Sequence, residues 1–171
     1  SFLGYQPEGA HRAYAAALCV SINYEVVHGL PTQDKILQEG DIVSLDLGLS
    51  CNGFFADSAI TLCVGTCDAE AKILLRATRE ALDASIAAAR VGAHLGEIGA
   101  AVERVAIKYQ LAVVEDLGGH AVGKAVHERP FITNVGTAGE GEDIAEGLVL
   151  ALEPMLAERK GAIVLDQARW T

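Results

Sequence analysis

A chain of 171 residues is long enough for one domain with a proper core and too short for two ordinary ones. Its formal charge of −10 argues against a nucleic-acid backbone or an anionic membrane surface as main partner, and no apolar run reaches the roughly 18 residues that a membrane span needs. With 51% apolar but only 5% aromatic residues, the core is expected to be built from Ala, Val, Leu and Ile. No signal or transit peptide is visible. The chain opens at Ser1 and stops after Trp170-Thr171, so residues 1–171 read as a single partial domain, trimmed at both ends. Cys19, Cys51, Cys63 and Cys67 could make two disulfides but are expected as four free thiols of a reducing cytoplasm. Cys63-x3-Cys67 lacks the second pair of a structural zinc site.

Residues 1–17 are irregular, with an Ala-rich patch that fits a short helix. Leu18 to Val27 reads as strand or extended chain, closed by His28-Gly29-Leu30-Pro31 and a polar loop to Gly40. Two strands follow around Asn52-Gly53, a strong hairpin signal. In the first, Val43, Leu45, Leu47 and Leu49 face one way, and Ile42, Ser44, Asp46 and Gly48 the other. A two-residue loop sets Cys51 opposite Phe54, Gly48 opposite Asp57 and Asp46 opposite Ala59. Asp46 and Asp57 then share a face as diagonal neighbours, about 7–8 Å apart at the backbone. A β-bulge would undo that parity.

Asp68 to Arg90 reads as a helix, with Ala71, Leu74, Leu75, Thr78, Leu82, Ile86 and Ala89 as its apolar stripe and Gly92 as a stop. A second helix is predicted from Leu95 to Tyr109, with Ile98, Val102, Val105 and Tyr109 inward. Leu111 to Leu117 reads as a strand leading into Gly118-Gly119-His120. After a Gly-rich loop, Leu148 to Leu152 is a buried strand ending in Glu153-Pro154. The element order indicates an α+β fold.

Asp46, Asp57, His120 and Glu153 carry the chemistry. A charge in a strand is expensive to desolvate unless something pairs with it, and two neighbouring carboxylates repel until one is driven neutral. Divalent ions remove that penalty, and an oxygen-rich set with one nitrogen suits Mn, Fe, Co or Zn. Two such ions also generate a bridging hydroxide nucleophile at neutral pH. Each residue alone has an ordinary explanation: a strand-edge or turn aspartate, or a glutamate paired with a cation. The four together, with His120 behind two glycines, point to a metal-dependent hydrolase.

The chain resembles the type I methionine aminopeptidases of the pita-bread metallopeptidase fold. The matching pieces are Leu3-Gly4-Tyr5, Cys19-Val20-Ser21-Ile22-Asn23, Val27-His28-Gly29-Leu30-Pro31 and Glu39-Gly40-Asp41-Ile42-Val43-Ser44-Leu45-Asp46. They continue with Asn52-Gly53-Phe54 before Asp57, Gly119-His120-Ala121-Val122-Gly123, His127-Glu128-Arg129-Pro130 and Leu152-Glu153-Pro154-Met155. Intervals of 11, 63 and 33 residues between successive acidic and imidazole positions match as well. The ordered set covers essentially the whole chain.

The resemblance implies a cytoplasmic enzyme that removes N-terminal Met from nascent chains at the ribosome through a metal-bound hydroxide, with no nucleic-acid or membrane site of its own. It implies two divalent ions (Co, Mn, Fe or Zn) held by Asp46, Asp57, His120 and Glu153, with Asp57 bridging and Glu153 also handling the proton of the nucleophilic water. His28 and His127 match the two histidines that orient the scissile peptide and stabilise developing charge. Tyr5, Cys19 and Trp170 sit where the family lines its methionine pocket, although a lone Trp also fits an ordinary core. His11 and His94 match nothing and read as solvated or capping residues.

The family's fifth ligand, a second bridging glutamate, is expected beyond Thr171, which puts activity of these 171 residues alone in question. Ala121 replaces the usual glycine and is tolerable only where φ is negative. An X-Pro dipeptidase or aminopeptidase P shares the fold and the ligands. A non-catalytic peptide-binding relative is the reading from another class, and the four intact ligands argue against it. No large insertion separates His127 from Glu153, which disfavours the type II subfamily.

Overall fold

Asn52 and Gly53 both take positive φ (52° and 80°) and turn the chain back on itself, the backbone geometry of a tight two-residue hairpin. In the computed structural model, which describes residues 2–6 and 11–165, the turn joins strands β2 (Ile42–Cys51) and β3 (Phe54–Cys63). Their ladder is unbroken, with Cys51 opposite Phe54, Gly48 opposite Asp57 and Asp46 opposite Ala59. The expected register is the observed one. Strand β1 (Cys19–Ile22) adds to the other edge of β2, and Cys19 lies opposite Asp46.

This three-stranded sheet belongs to one of two compact units, Ser1–Ala71 with Ile163–Thr171; the other is Lys72–Ala162. Within the first, Phe2, Tyr14, Cys19, Val43 and Cys67 are buried. The hairpin face that carries Val43 is buried only at that residue and otherwise largely bare, with Leu47, Leu49, Ile60 and Leu62 all well exposed.

The Ala-rich patch is not helical among the described residues. The Tyr14 N–H donates to the Tyr5 carbonyl and the Tyr14 carbonyl accepts from Gly4, so its backbone groups are committed across the chain rather than along a helix. The strand expected to Val27 stops at Ile22, because Asn23 turns into the left-handed region. Cys63 and Cys67 are joined in a disulfide, with Cα atoms 5.9 Å apart, against the expectation of four free thiols. Gly65, at φ 63°, folds the chain between them sharply enough to bring the two side chains within bridging reach. Cys19 and Cys51 are free.

Helix α1 (Ala69–Ala88) starts where Asp68 accepts a hydrogen bond from the Ala71 N–H, a side-chain N-cap. Its buried line is Ala77, Ala81 and Ser85, one residue every turn, and Ile86 is 55% exposed instead of inward. Small residues in that line let α2 (Leu95–Tyr109) pack close: Val102 and Val105 cluster with Ala81. The second helix buries Ile98, Val102 and Val105 as its periodicity predicts. It ends at Gln110, whose left-handed φ of 57° supports a C-terminal cap closed by the Leu111 N–H on the Ala106 carbonyl.

The strand expected over 111–117 shrinks to β4 (Ala112–Val113), and β5 (Gly118–Ala121) begins just past its expected end. Strands β6 (Glu128–Thr133) and β8 (Leu156–Ala157) were not anticipated, and β7 is only Leu150–Ala151. β4 pairs with β8, while β5 is the centre of a second sheet, ordered β6-β5-β7. Leu95, Ile98, Ile132 and Ile144 form the core beneath it. Among the described residues no helix is long and apolar enough to cross a membrane.

Candidate metal centre and substrate pocket

The candidate residues divide between the two units, and each set is organised by its own local structure. In the first unit, Asp46 and Asp57 project from the same hairpin face, since cross-strand partners share a face and the pairing runs Asp46–Ala59, Gly48–Asp57. Gly48 beside Asp57 leaves room for Phe2, whose ring a Cβ there would meet at 2.7 Å. Both aspartates are half-buried, so two like charges share a partly desolvated surface.

Cys19 shows the consequence. It is 2% exposed and sits opposite Asp46. Burial first, then the negative charge of Asp46 and Asp57, push its thiol up to about 12, and a hydrogen bond shared with Tyr14 offsets only part of that. The thiol is therefore neutral, a buried apolar group rather than a nucleophile. Tyr14 was missed as a candidate from sequence. It is 3% exposed, its hydroxyl donates to the Gly29 carbonyl at 2.7 Å, and burial raises its pKa. Burial also raises the pKa of the half-exposed Tyr5.

His28 has φ 58°, a left-handed conformation that few residues with a Cβ adopt. The strain is held by its neighbour. The Gly29 N–H donates to Ser21 Oγ at 3.0 Å, its carbonyl accepts from Val20, and a side chain at Gly29 would collide with the Val20 backbone. Strained residues clamped in this way concentrate at functional positions. Trp170 lies outside the described residues.

In the second unit, His120, His127 and Glu153 come together. His120 is on β5, 6% exposed. Its Nδ1 lies 3.0 Å from the Ala121 carbonyl, an acceptor that favours the proton on Nδ1 and leaves Nε2 as the nitrogen a cation would take. That Nε2 is 3.2 Å from Glu153 Oε1. The His127 ring packs edge-on against His120, centroids 4.4 Å apart.

Local irregularity produces this meeting. Between His120 and Ala121 the β5–β6 register jumps, from Phe131 to Glu128, so Arg129 and Pro130 bulge from the edge strand. Bulges of this kind re-aim side chains beside active sites, and Pro130, without an N–H, is suited to an edge. Ala121 keeps a negative φ and is buried, so the substitution for glycine is accommodated. His11 is exposed, and His94, the N-cap residue of α2, pairs with Asp143 at 3.1 Å.

Both sets fit divalent cations. One offers two carboxylates on a common face; the other offers the Nε2 of a buried imidazole with a carboxylate oxygen 3.2 Å from it.

Comparison with known proteins agrees. Residues 3–168 match the model of metallopeptidase family M24. A methionine aminopeptidase of Aquifex aeolicus is 44% identical over 173 aligned residues, covering 100% of this chain and 67% of that protein. The crystal structure of a methionine aminopeptidase from Thermotoga maritima superimposes with a TM-score of 0.92 at 40% identity, covering 99% of this chain and 66% of that one. A prolidase from Pyrococcus horikoshii, at 24% identity and a TM-score of 0.68 over 85% of this chain and 41% of its own, shares the fold. The chain thus spans about two thirds of the length of the methionine aminopeptidases it matches. With its pita-bread architecture, this chain belongs to metallopeptidase family M24 and, within it, to the methionine aminopeptidases.

Proposed function

We propose that the protein is a metal-dependent aminopeptidase that removes the N-terminal methionine of nascent polypeptides in the cytoplasm, acting on chains as they leave the ribosome. Asp46, Asp57, His120 and Glu153 would hold two divalent ions, of which Co, Mn, Fe and Zn all suit the donors. When bound, such ions supply a nucleophilic water at neutral pH and polarise the scissile carbonyl.

The remaining work falls to the chain's own residues. Glu153 accepts the proton of the attacking water at its carboxylate and returns it to the leaving amine, a role suited to an exposed edge of a ligand (its side chain is 33% exposed). His127, packed on His120, donates to the carbonyl oxygen as charge develops there. His28 orients the scissile peptide from its constrained loop. Tyr5 and Cys19 would line the methionine pocket, with the neutral Cys19 thiol as an apolar wall. A pocket of this kind separates side chains by only about 1–3 kcal/mol per methylene.

The observation that supports this reading most is the His120–Glu153 contact at 3.2 Å with Nδ1 tied away to the Ala121 carbonyl, an imidazole presented for ligation. The test is peptide hydrolysis with and without added divalent metal, on Met-Gly-type and Ala-Pro-type substrates. Metal-dependent release of Met from the first alone is expected. Preferential cleavage of the second would favour an X-Pro peptidase, and no cleavage of either with metal present, by these 171 residues or by the chain extended through the next strand, would end the enzyme reading.

A further inference from the structure

We propose that Asn134 is the positioning residue of the second unit's donor pair, a side-chain clamp that sets where Glu153 stands relative to His120. The proposal rests on reading those two residues as metal ligands.

The backbone ladder does not reach Glu153. β7 pairs with β5 only through His120–Ala151 and Ala121–Leu150. Glu153 lies two residues beyond, and Pro154 after it has no N–H to offer. Continued past its end, the register would set Glu153 beside Gly118, at the mouth of β5. On the far side of β5, Gly118 pairs with Thr133, the last residue of β6, and Asn134 comes next.

Asn134 is 3% exposed. Its Nδ2 donates to the Glu153 carbonyl at 3.0 Å and to the Leu117 carbonyl at 3.3 Å. Both partners are acceptors, so the amide orientation follows from the bonds themselves. One carboxamide thus ties the ends of all three strands, from edge β6 across central β5 to the extension of β7. It does for Glu153 what a missing ladder rung would have done.

The clamp is itself anchored. Thr133 Oγ1 donates to the Val135 carbonyl at 2.6 Å, and the Gly136 N–H donates to Glu103 on α2 at 3.1 Å. Gly99 of that helix lets the Val135 backbone approach closer than any side chain would permit. Gly119 likewise leaves room for the Ala151 carbonyl and the Glu153 nitrogen. Removing the amide would leave two carbonyls without their donor and free Glu153 from its partner strand.

The test compares the wild-type protein with Asn134→Leu, which keeps the bulk without donors, Asn134→Asp, which replaces donors by acceptors, and Asn134→Gln, which restores the donor one methylene out. Each is titrated with Co2+ by calorimetry, the visible spectrum of bound Co2+ is recorded, and folding is followed by circular dichroism. Asn134→Leu and Asn134→Asp should stay folded, bind Co2+ about 10- to 100-fold more weakly and show an altered spectrum. kcat should fall at unchanged KM, with Asn134→Gln recovering part of every effect. Folded variants with wild-type affinity and spectrum would overturn the proposal. So would weaker binding that follows lost thermal stability while the spectrum of the bound ion stays unchanged. Should Asn134→Leu fail to fold, Asn134→Asp and Asn134→Gln decide on the same readouts. Wild-type protein that takes up no Co2+ would remove the ligand reading and this proposal together, whereas wild-type uptake with unaltered variants removes the proposal alone.

Discussion

Asp46 and Asp57 stand in the middle of two ten-residue strands whose ladder runs without a break. His120, His127 and Glu153 are placed by a four-residue strand, the approach to a bulged edge and the chain beyond a two-residue strand. Position on a long ladder is shared among many hydrogen bonds, so no single contact decides where the aspartates point. In the second unit the same task falls on individual groups: the Arg129–Pro130 bulge, the glycine at 119 and the Asn134 amide. Chemistry of equal demand is supported redundantly in one unit and by single contacts in the other.

The largest effects should come from the donors themselves and should not distinguish the units. Asp57→Ala and His120→Ala are each expected to abolish metal-dependent peptide hydrolysis, as is prior treatment with a chelator. His127→Ala should lower kcat by about 10²–10³-fold, the usual cost of losing a group that stabilises a developing oxyanion. Steady-state kinetics check both, and substantial activity in either donor variant would remove that residue from the ligand set.

Adding one methyl group separates the units more sharply. At Gly119 a Cβ would strike the Ala151 carbonyl, which is backbone, while at Gly48 it would meet the ring of Phe2, which is a side chain. Gly119→Ala should therefore cost about 1–3 kcal/mol, and Gly48→Ala clearly less. Denaturant unfolding measures the difference, and equal costs would contradict the contrast. Core truncation follows the same division. Val102→Ala, at 1% exposure, should cost about 2 kcal/mol. Leu49→Ala, 45% exposed on the hairpin's bare face, should stay within about 0.5 kcal/mol.

The smallest effect concerns thiols. Iodoacetamide at pH 8 should label exposed Cys51 alone in the native protein, since Cys19 is buried and its thiol, pushed up to about 12, remains protonated there. Unfolding without reductant should raise the count to two and reduction to four. Four labelled cysteines before reduction would contradict the Cys63–Cys67 bridge.

The same contrast explains what the sequence made legible. Alternation has period two, so parity around Asn52-Gly53 was enough to put Asp46 and Asp57 on one face. The two helices were legible because Ile98, Val102 and Val105 repeat at helical spacing, and Asp68 marks a start. Ile86 was misplaced because the inner face of α1 is made of Ala77, Ala81 and Ser85, whose small size gives almost no hydrophobic signal. β6 carries Arg129 and Pro130 within a bulge, which hides strand alternation, and two-residue strands have no periodicity to read. Tyr14 and Asn134 act through single hydrogen bonds to carbonyls distant in sequence, and nothing in their neighbours announces such partners. The Cys63–Cys67 bridge is not legible because four cysteines allow free thiols or several pairings alike, whereas the turn at Gly65 decides which two come within reach.

The most direct test of the central claim is anomalous scattering from crystals of the protein grown with Mn2+ or Co2+. Two neighbouring peaks coordinated by Asp46, Asp57, His120 and Glu153 are expected. Ions bound elsewhere, or peaks that leave His120 and Glu153 uncoordinated, would contradict the account.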